Sequence, residues 1–215
     1  MSVSFLIILL VLSLIVIIIA IFTDLLRNTV FNQASFTALA KTNNPKPGFS
    51  LAKTQLAFWT VIVISSFIYV VFFSSSSGGM KMPIDISAVN LTLLGIAAGT
   101  TVVGKAIDGS QQNNPTASTT SAQQNQPAKG FFFFDIISDE TGVSIHRLQN
   151  VLWTIVVGSI YITYVSTKHD MPDDKVINSV LLGLMGVSSA AYLGVKTSEN
   201  TAPQPQPTPT TPDGK

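Results

Sequence analysis

Cysteine is absent from the chain, which excludes disulfides, thiol nucleophiles and cysteine-ligated zinc or iron-sulfur sites. Charge is nearly as scarce: 11% of the 215 residues are Asp, Glu, Lys or Arg, and the formal net charge is +1. Such a balance supplies no field to gather nucleic acid, and no Lys/Arg cluster interleaves with exposed aromatics, so that class of partner is set aside. There are only two histidines, His146 and His169. Neither stands in a His-Glu-x-x-His or His-plus-carboxylate spacing, so no metal site is expected from them. His169 with Asp170, Asp173 and Asp174 reads as a solvated charged loop, because no EF-hand pattern surrounds it. With no nucleophile and base at useful spacing and no cofactor motif, the chain is read as a non-enzyme.

What it has in abundance is apolar surface. Hydrophobic residues make up 47% of the chain and the mean hydropathy is +0.45, too apolar for an ordinary soluble domain of this size. Apolar runs cover Phe5 to Phe22, Leu56 to Phe73, Val89 to Val103, Val151 to Val165 and Val176 to Val195. Each is near the ~20 helical residues needed to cross ~30 Å of hydrocarbon. The third and fourth are short unless Ser87 to Asn90 and His146 to Asn150 form the ends of the same helices.

The chain also states one pattern twice. Ser50-x-x-Lys53-x-Gln55, followed by Trp59-Thr60, returns as Ser144-x-x-Arg147-x-Gln149, followed by Trp153-Thr154. Later in each copy, Leu94-Gly95-Ile96-Ala97-Ala98-Gly99 ending at Lys105 pairs with Met185-Gly186-Val187-Ser188-Ser189-Ala190 ending at Lys196. The expected fold is therefore an all-α integral membrane protein, an N-terminal anchor helix plus two transmembrane helical hairpins as parallel repeats.

Cations orient the arrangement. If the segment from Asp24 to Lys53 is cytoplasmic, Arg27, Lys41, Lys46, Lys53, Lys105, Lys129, Arg147, Lys196 and Lys215 lie inside and only Lys81, Lys168 and Lys175 outside, as the positive-inside rule requires. The N-terminus is then outside and the C-terminus cytoplasmic. The first apolar run lacks a basic n-region and a small-residue cleavage site, so it reads as a retained anchor. The expected divisions are 1–23 anchor, 24–47 cytoplasmic surface segment, 48–107 first hairpin, 108–129 disordered linker, 130–141 interfacial segment, 142–197 second hairpin and 198–215 Pro-rich tail.

Particular residues stand out against this frame. Ser50 and Ser144 are placed to cap the helices that follow them. Lys53 and Arg147, one turn in, oppose the helix macrodipole and so point to topology, lipid phosphate or a partner's carboxylate. Gln55 and Gln149, one turn before Trp59 and Trp153, need a hydrogen-bond partner on another helix or in water; helix locking is preferred over pore lining. Gly95 and Gly99, and Gly186, Ala190 and Gly194, form small-residue stripes that suit close helix packing. Phe131, Phe132, Phe133 and Phe134 are too few to span and too apolar for water, so they insert at the membrane surface or dock a partner. Asn90-Leu91-Thr92 matches a glycosylation triplet but falls at a span and is discounted.

The paired Ser-x-x-[Lys/Arg]-x-Gln-x-x-x-Trp-Thr and Gly-[Ile/Val]-[Ala/Ser]-[Ala/Ser] pattern, fullest between Gly130 and Asn200, resembles a family of uncharacterised bacterial multi-pass inner-membrane proteins. The first copy departs from it, with Thr101 where the second has Tyr192. The resemblance implies a bacterial inner-membrane setting and transfers no site residues. Two functions are open on the residues alone. One is a non-enzymatic membrane subunit that anchors or scaffolds a cytoplasmic protein partner, since the sizeable non-spanning segments are all inside. The other is a small channel or pore-forming effector, a candidate homo-oligomer, with Gln55, Gln149, Thr100, Ser188 and Ser189 facing water.

Overall fold

The computed structural model describes residues 2–28, 46–73, 87–112, 128, 130–138 and 142–199. The surface piece at Val30 to Leu39, the loop at Ser74 to Gly79, Lys81, most of the linker and the tail lie outside the described residues. Six α-helices are present and no strand among the described residues: α1 (Val3–Phe22), α2 (Leu51–Phe73), α3 (Ala88–Gln112), α4 (Phe132–Ile137), α5 (Ile145–Lys168) and α6 (Ser179–Glu199). All but α4 are long and apolar enough to cross a membrane.

The five apolar runs each become one of these long helices, and the ends differ for local reasons. In α3 and α5 the polar flanks do continue the helix, since α3 begins at Ala88 and α5 at Ile145. The sixth helix starts three residues later than its apolar run because Asn178 caps it: Asn178 Oδ1 accepts from the Leu181 amide at 3.0 Å. Val176 and Ile177 instead close a turn onto Asp173 O, both at 3.1 Å. His169 ends α5 in the left-handed conformation (φ 57°). The α3 helix continues through Gln112, into the segment expected as linker, although its apolar span stops at Ile107.

Contacts fix the arrangement. Helix α2 packs on α3 and α5, and α6 packs on α3 and α5, so these four form a closed ring. Helices α2 and α5 run the same way, joined near their starts by Gln55 with Asn150 and near their ends by Tyr69 with His169. Thr101 of α3 meets Ala52 of α2, and Arg147 of α5 meets Tyr192 of α6, so each is antiparallel to its neighbour. Helix α1 lies outside the ring against α2, with Phe5 against Tyr69 at a ring separation of 5.4 Å. Phe5 is its one buried residue.

Two apolar clusters hold the molecule. The larger runs through the ring and includes Trp59, Ile62, Leu93, Val157, Tyr161, Val165 and Met185. The smaller sits at the end where α2 and α5 begin and joins Leu51, Ala52, Ile136 and Tyr192. That end also carries Arg27, Lys53, Lys105, Arg147 and Lys196; it is called the basic end below. Lys168 and Lys175 are at the opposite end. At the basic end the stretch after α1 is clasped to the stretch before α2: Ser50 N–H donates to Leu26 O at 2.7 Å and Asn28 N–H to Gly48 O at 2.9 Å.

Candidate functional site

A polar seam inside an otherwise apolar ring is the chemically distinctive feature. In hydrocarbon a buried amide or hydroxyl must find a partner on a neighbouring helix or in trapped water. Near the basic end Gln55 is buried, and its Nε2 donates to Asn150 Oδ1 at 3.0 Å and to Thr154 Oγ1 at 2.7 Å. Thr154 in turn donates to the Asn150 carbonyl at 2.8 Å. Asn150 is one residue past Gln149 and one turn before Thr154, so the pair shares one face of α5.

Toward the other end Tyr161 O–H donates to Asn90 Oδ1 at 2.6 Å, with both residues fully buried. Asn150 and Tyr161 are eleven positions apart, about 16 Å along α5. Between and around these pairs sit Ser65, Ser66, Thr100, Ser188 and Ser189, all buried. Ser65, Ser66 and Thr100 return their hydroxyls to carbonyls one turn earlier on their own helices. Among the described residues, four buried side-chain atoms have no protein hydrogen-bond partner: Thr54 Oγ1, Asn90 Nδ2, Asn150 Nδ2 and Ser188 Oγ. At the far end Tyr69 O–H meets His169 Nδ1.

The two glutamines of the repeated pattern part company. Gln55 is locked between helices, whereas Gln149 is exposed on the outer face of α5, in a shallow groove with Ile145, Leu148, Leu152, Trp153 and Val156. The tryptophans part likewise: Trp59 is fully buried against Tyr161, and Trp153 is half-buried beside Gln149.

The small-residue stripes do not serve the packing expected of them. Gly95, Gly99 and Gly194 face outward, and a Cβ built on Gly95, Gly99, Gly186 or Gly194 would meet nothing within 4 Å. Ala190 is exposed as well. The seam between α3 and α6 is instead on faces bearing Leu93, Ala97, Thr100, Met185 and Ser188, one or two positions away. The glycine that permits close approach is Gly158, where a Cβ would lie 2.6 Å from Phe58 Cζ.

At the basic end, Ser144 occupies the cap position of α5 without a side-chain cap bond. Its backbone does the work, donating to Ile137 O and accepting from Leu148 N–H, both at 2.9 Å. Arg147 is buried with its guanidinium 5.3 Å from the Tyr192 ring centre, turned toward α6 and away from the surface. Lys53 is half-buried and donates to Arg27 O at 2.6 Å.

Most of the phenylalanine run folds as the short helix α4, which is fastened through Phe132, Asp135 and Ile136. Phe132 meets Phe49 edge-on at 5.0 Å, Asp135 Oδ2 accepts from the Phe49 amide at 3.3 Å, and Ile136 is buried. Phe131, Phe133 and Phe134 point out, at 71%, 67% and 53% exposure. Gly142, at φ 132°, lets the chain turn back so that Val143 bridges Ser138 and α5 starts beside α4.

Asn150, Tyr161 and Asp135 were given no role by the sequence patterns, and Asn90 and Thr154 entered only through a discounted glycosylation triplet and the repeated Trp-Thr pair. One signal was present, since every amide inside an apolar run needs a partner, and Asn150 with Thr154 is a polar pair at helical spacing. In the His169 loop, Asp170 and Asp173 turn their carboxylates to the amides of Met171 and Lys175, at 2.8 and 3.1 Å. Comparison with protein-family models, with curated proteins and with solved structures returns no match.

Proposed function

We propose that the protein is a non-enzymatic multi-pass membrane subunit that anchors a cytoplasmic partner, with the basic end facing the cytoplasm of a bacterial cell. The observation that carries this reading is α4. It is an aromatic platform, anchored through Phe132, Asp135 and Ile136, that presents Phe131, Phe133 and Phe134 at the basic end of the bundle. The segregation of cations to that end supports a cytoplasmic placement by the positive-inside rule. The resemblance noted in the sequence supplies the inner-membrane setting, and the paired hairpins are read as a duplication.

The test is purification from native membranes in mild detergent, with and without Phe133→Ser and Phe134→Ser. These substitutions leave the buried side of α4 untouched. A cytoplasmic protein that copurifies with the parent chain and is lost from the double variant supports the tether. Failure to recover such a partner, or its indifference to both substitutions, counts against it.

A second reading, a small channel, is favoured by three buried polar atoms without protein partners, Asn90 Nδ2, Asn150 Nδ2 and Ser188 Oγ, because water inside the ring would satisfy them. Ion flux into liposomes containing the purified protein tests it. Selective conductance lost on Gln55→Leu would replace the tether with the channel, and electrically silent liposomes would remove the channel.

A further inference from the structure

We infer that the groove between α1, α2 and α3 at the basic end is a binding site for one anionic phospholipid. The groove holds about 440 Å³. Its deeper walls are Val16, Leu56 and Ala57, and its mouth carries Lys53, Lys105 and Asp24. Lys53 to Thr60 spans about 10 Å of α2, so the groove descends from the end of the span to well inside it. The lysines thus stand where a headgroup meets hydrocarbon, and the apolar walls lie where acyl chain would be.

Charge selects the headgroup. Asp24 sits 3.6 Å from the Arg27 guanidinium, so its charge is answered by a cation outside the groove. Even counting Asp24, Lys53 and Lys105 leave the mouth with a formal excess of one positive charge, complementary to a phosphate diester with no cationic group of its own. Lys53 lies in the first turn of α2, where the helix dipole disfavours a cation, and a lipid phosphate offsets that cost. Lys105 lies on α3 across the groove and is exposed. A zwitterionic lipid would bring its own ammonium or choline to the same two lysines. The site requires only that the helices span a bilayer, and not that the chain tether a partner or conduct ions.

Native mass spectrometry of the full-length chain tests this, using mixed micelles of phosphatidylglycerol and phosphatidylcholine with matched acyl chains. The expected result is one phosphatidylglycerol retained preferentially, with each lysine contributing about fivefold to the preference. Lys105→Met lowers the preference by about that factor, Lys53→Met with Lys105→Met removes it, and the double arginine variant keeps it. Because Lys53 also bonds the Arg27 carbonyl, Lys105→Met alone decides the matter if the double variant does not fold. Lys168→Met with Lys175→Met, at the other end, leaves the preference intact. Equal retention of the two lipids overturns the site, as does an unchanged preference in Lys105→Met or an equal loss in the control. Displacement of the bound lipid by millimolar inorganic phosphate would reassign the mouth to free phosphate and also overturn it.

Discussion

Replacing Gln55 by leucine and Asn150 by leucine should give unequal losses of stability, and the inequality follows from which atoms each change strands. Gln55→Leu removes the donor that serves Asn150 Oδ1 at 3.0 Å and Thr154 Oγ1 at 2.7 Å. Asn150 Nδ2 already has no protein partner, so the whole amide of a residue 1% exposed is then left without one. Interhelical hydrogen bonds in membrane proteins contribute about 0.6 to 2 kcal/mol, and a stranded buried group costs about 1 to 3, so a loss of roughly 1–3 kcal/mol is expected. Asn150→Leu instead removes an unserved donor together with one acceptor, while Gln55 keeps Thr154. Its cost should stay within about 1 kcal/mol. The double variant makes the seam apolar on both sides, so its loss should fall short of the sum of the two singles by about 1 kcal/mol or more. Reversible unfolding by SDS in mixed micelles, followed by circular dichroism, measures all four corners of the cycle. A larger loss for Asn150→Leu than for Gln55→Leu, or strict additivity, would refute the reasoning.

Gly158→Leu should destabilise the ring by about 1 to 3 kcal/mol in the same assay, because Phe58 and Ile62 already occupy the space; Gly95→Leu, with nothing within 4 Å of its Cβ, should change stability by less than about 0.5 kcal/mol. Arg147→Ala should cost about 1 to 2 kcal/mol through the lost contact with Tyr192, and a thermal-melting comparison with Tyr192→Leu should show the two changes to be non-additive. Tyr161→Phe leaves the entire Asn90 amide without a partner and should cost about 1 to 2 kcal/mol, whereas Asn90→Leu with Tyr161→Phe should recover part of that loss in SDS titration.

The five long apolar helices were legible in the sequence because length and apolarity alone mark them, and each expected run falls within or across one of them. The starts of α2 and α5 were legible too, from Ser50 and Ser144, although the serine at 144 holds its helix through backbone bonds. The inward faces were not legible. In a soluble helix apolar periodicity marks the core, but a span such as α1 is apolar all round and carries no such mark. The small residues were therefore a poor guide: Gly95 and Gly99 face outward, and Gly158, which follows no four-residue stripe, makes the close approach. Polar atoms were the better guide, yet equivalence misled there. Gln55 and Gln149 hold the same position in the repeated pattern, but the amide that answers Gln55 is Asn150. Which of two adjacent amides turns inward depends on the rotation of α5 against α2, two helices that also meet closely where Gly158 packs against Phe58.

The partners in the polar seam are made at very different times. Gln55 precedes Asn150 by 95 residues and Asn90 precedes Tyr161 by 71, so if the long helices enter a bilayer as they are made, α2 and α3 do so well before the groups that satisfy them exist. Gln55 sits one turn from the start of its helix, where interfacial water can serve it during the wait. Asn90 sits equally near the start of α3, at the opposite leaflet. Insertion of that kind could proceed one helix pair at a time without dragging a thirsty amide to the bilayer midplane.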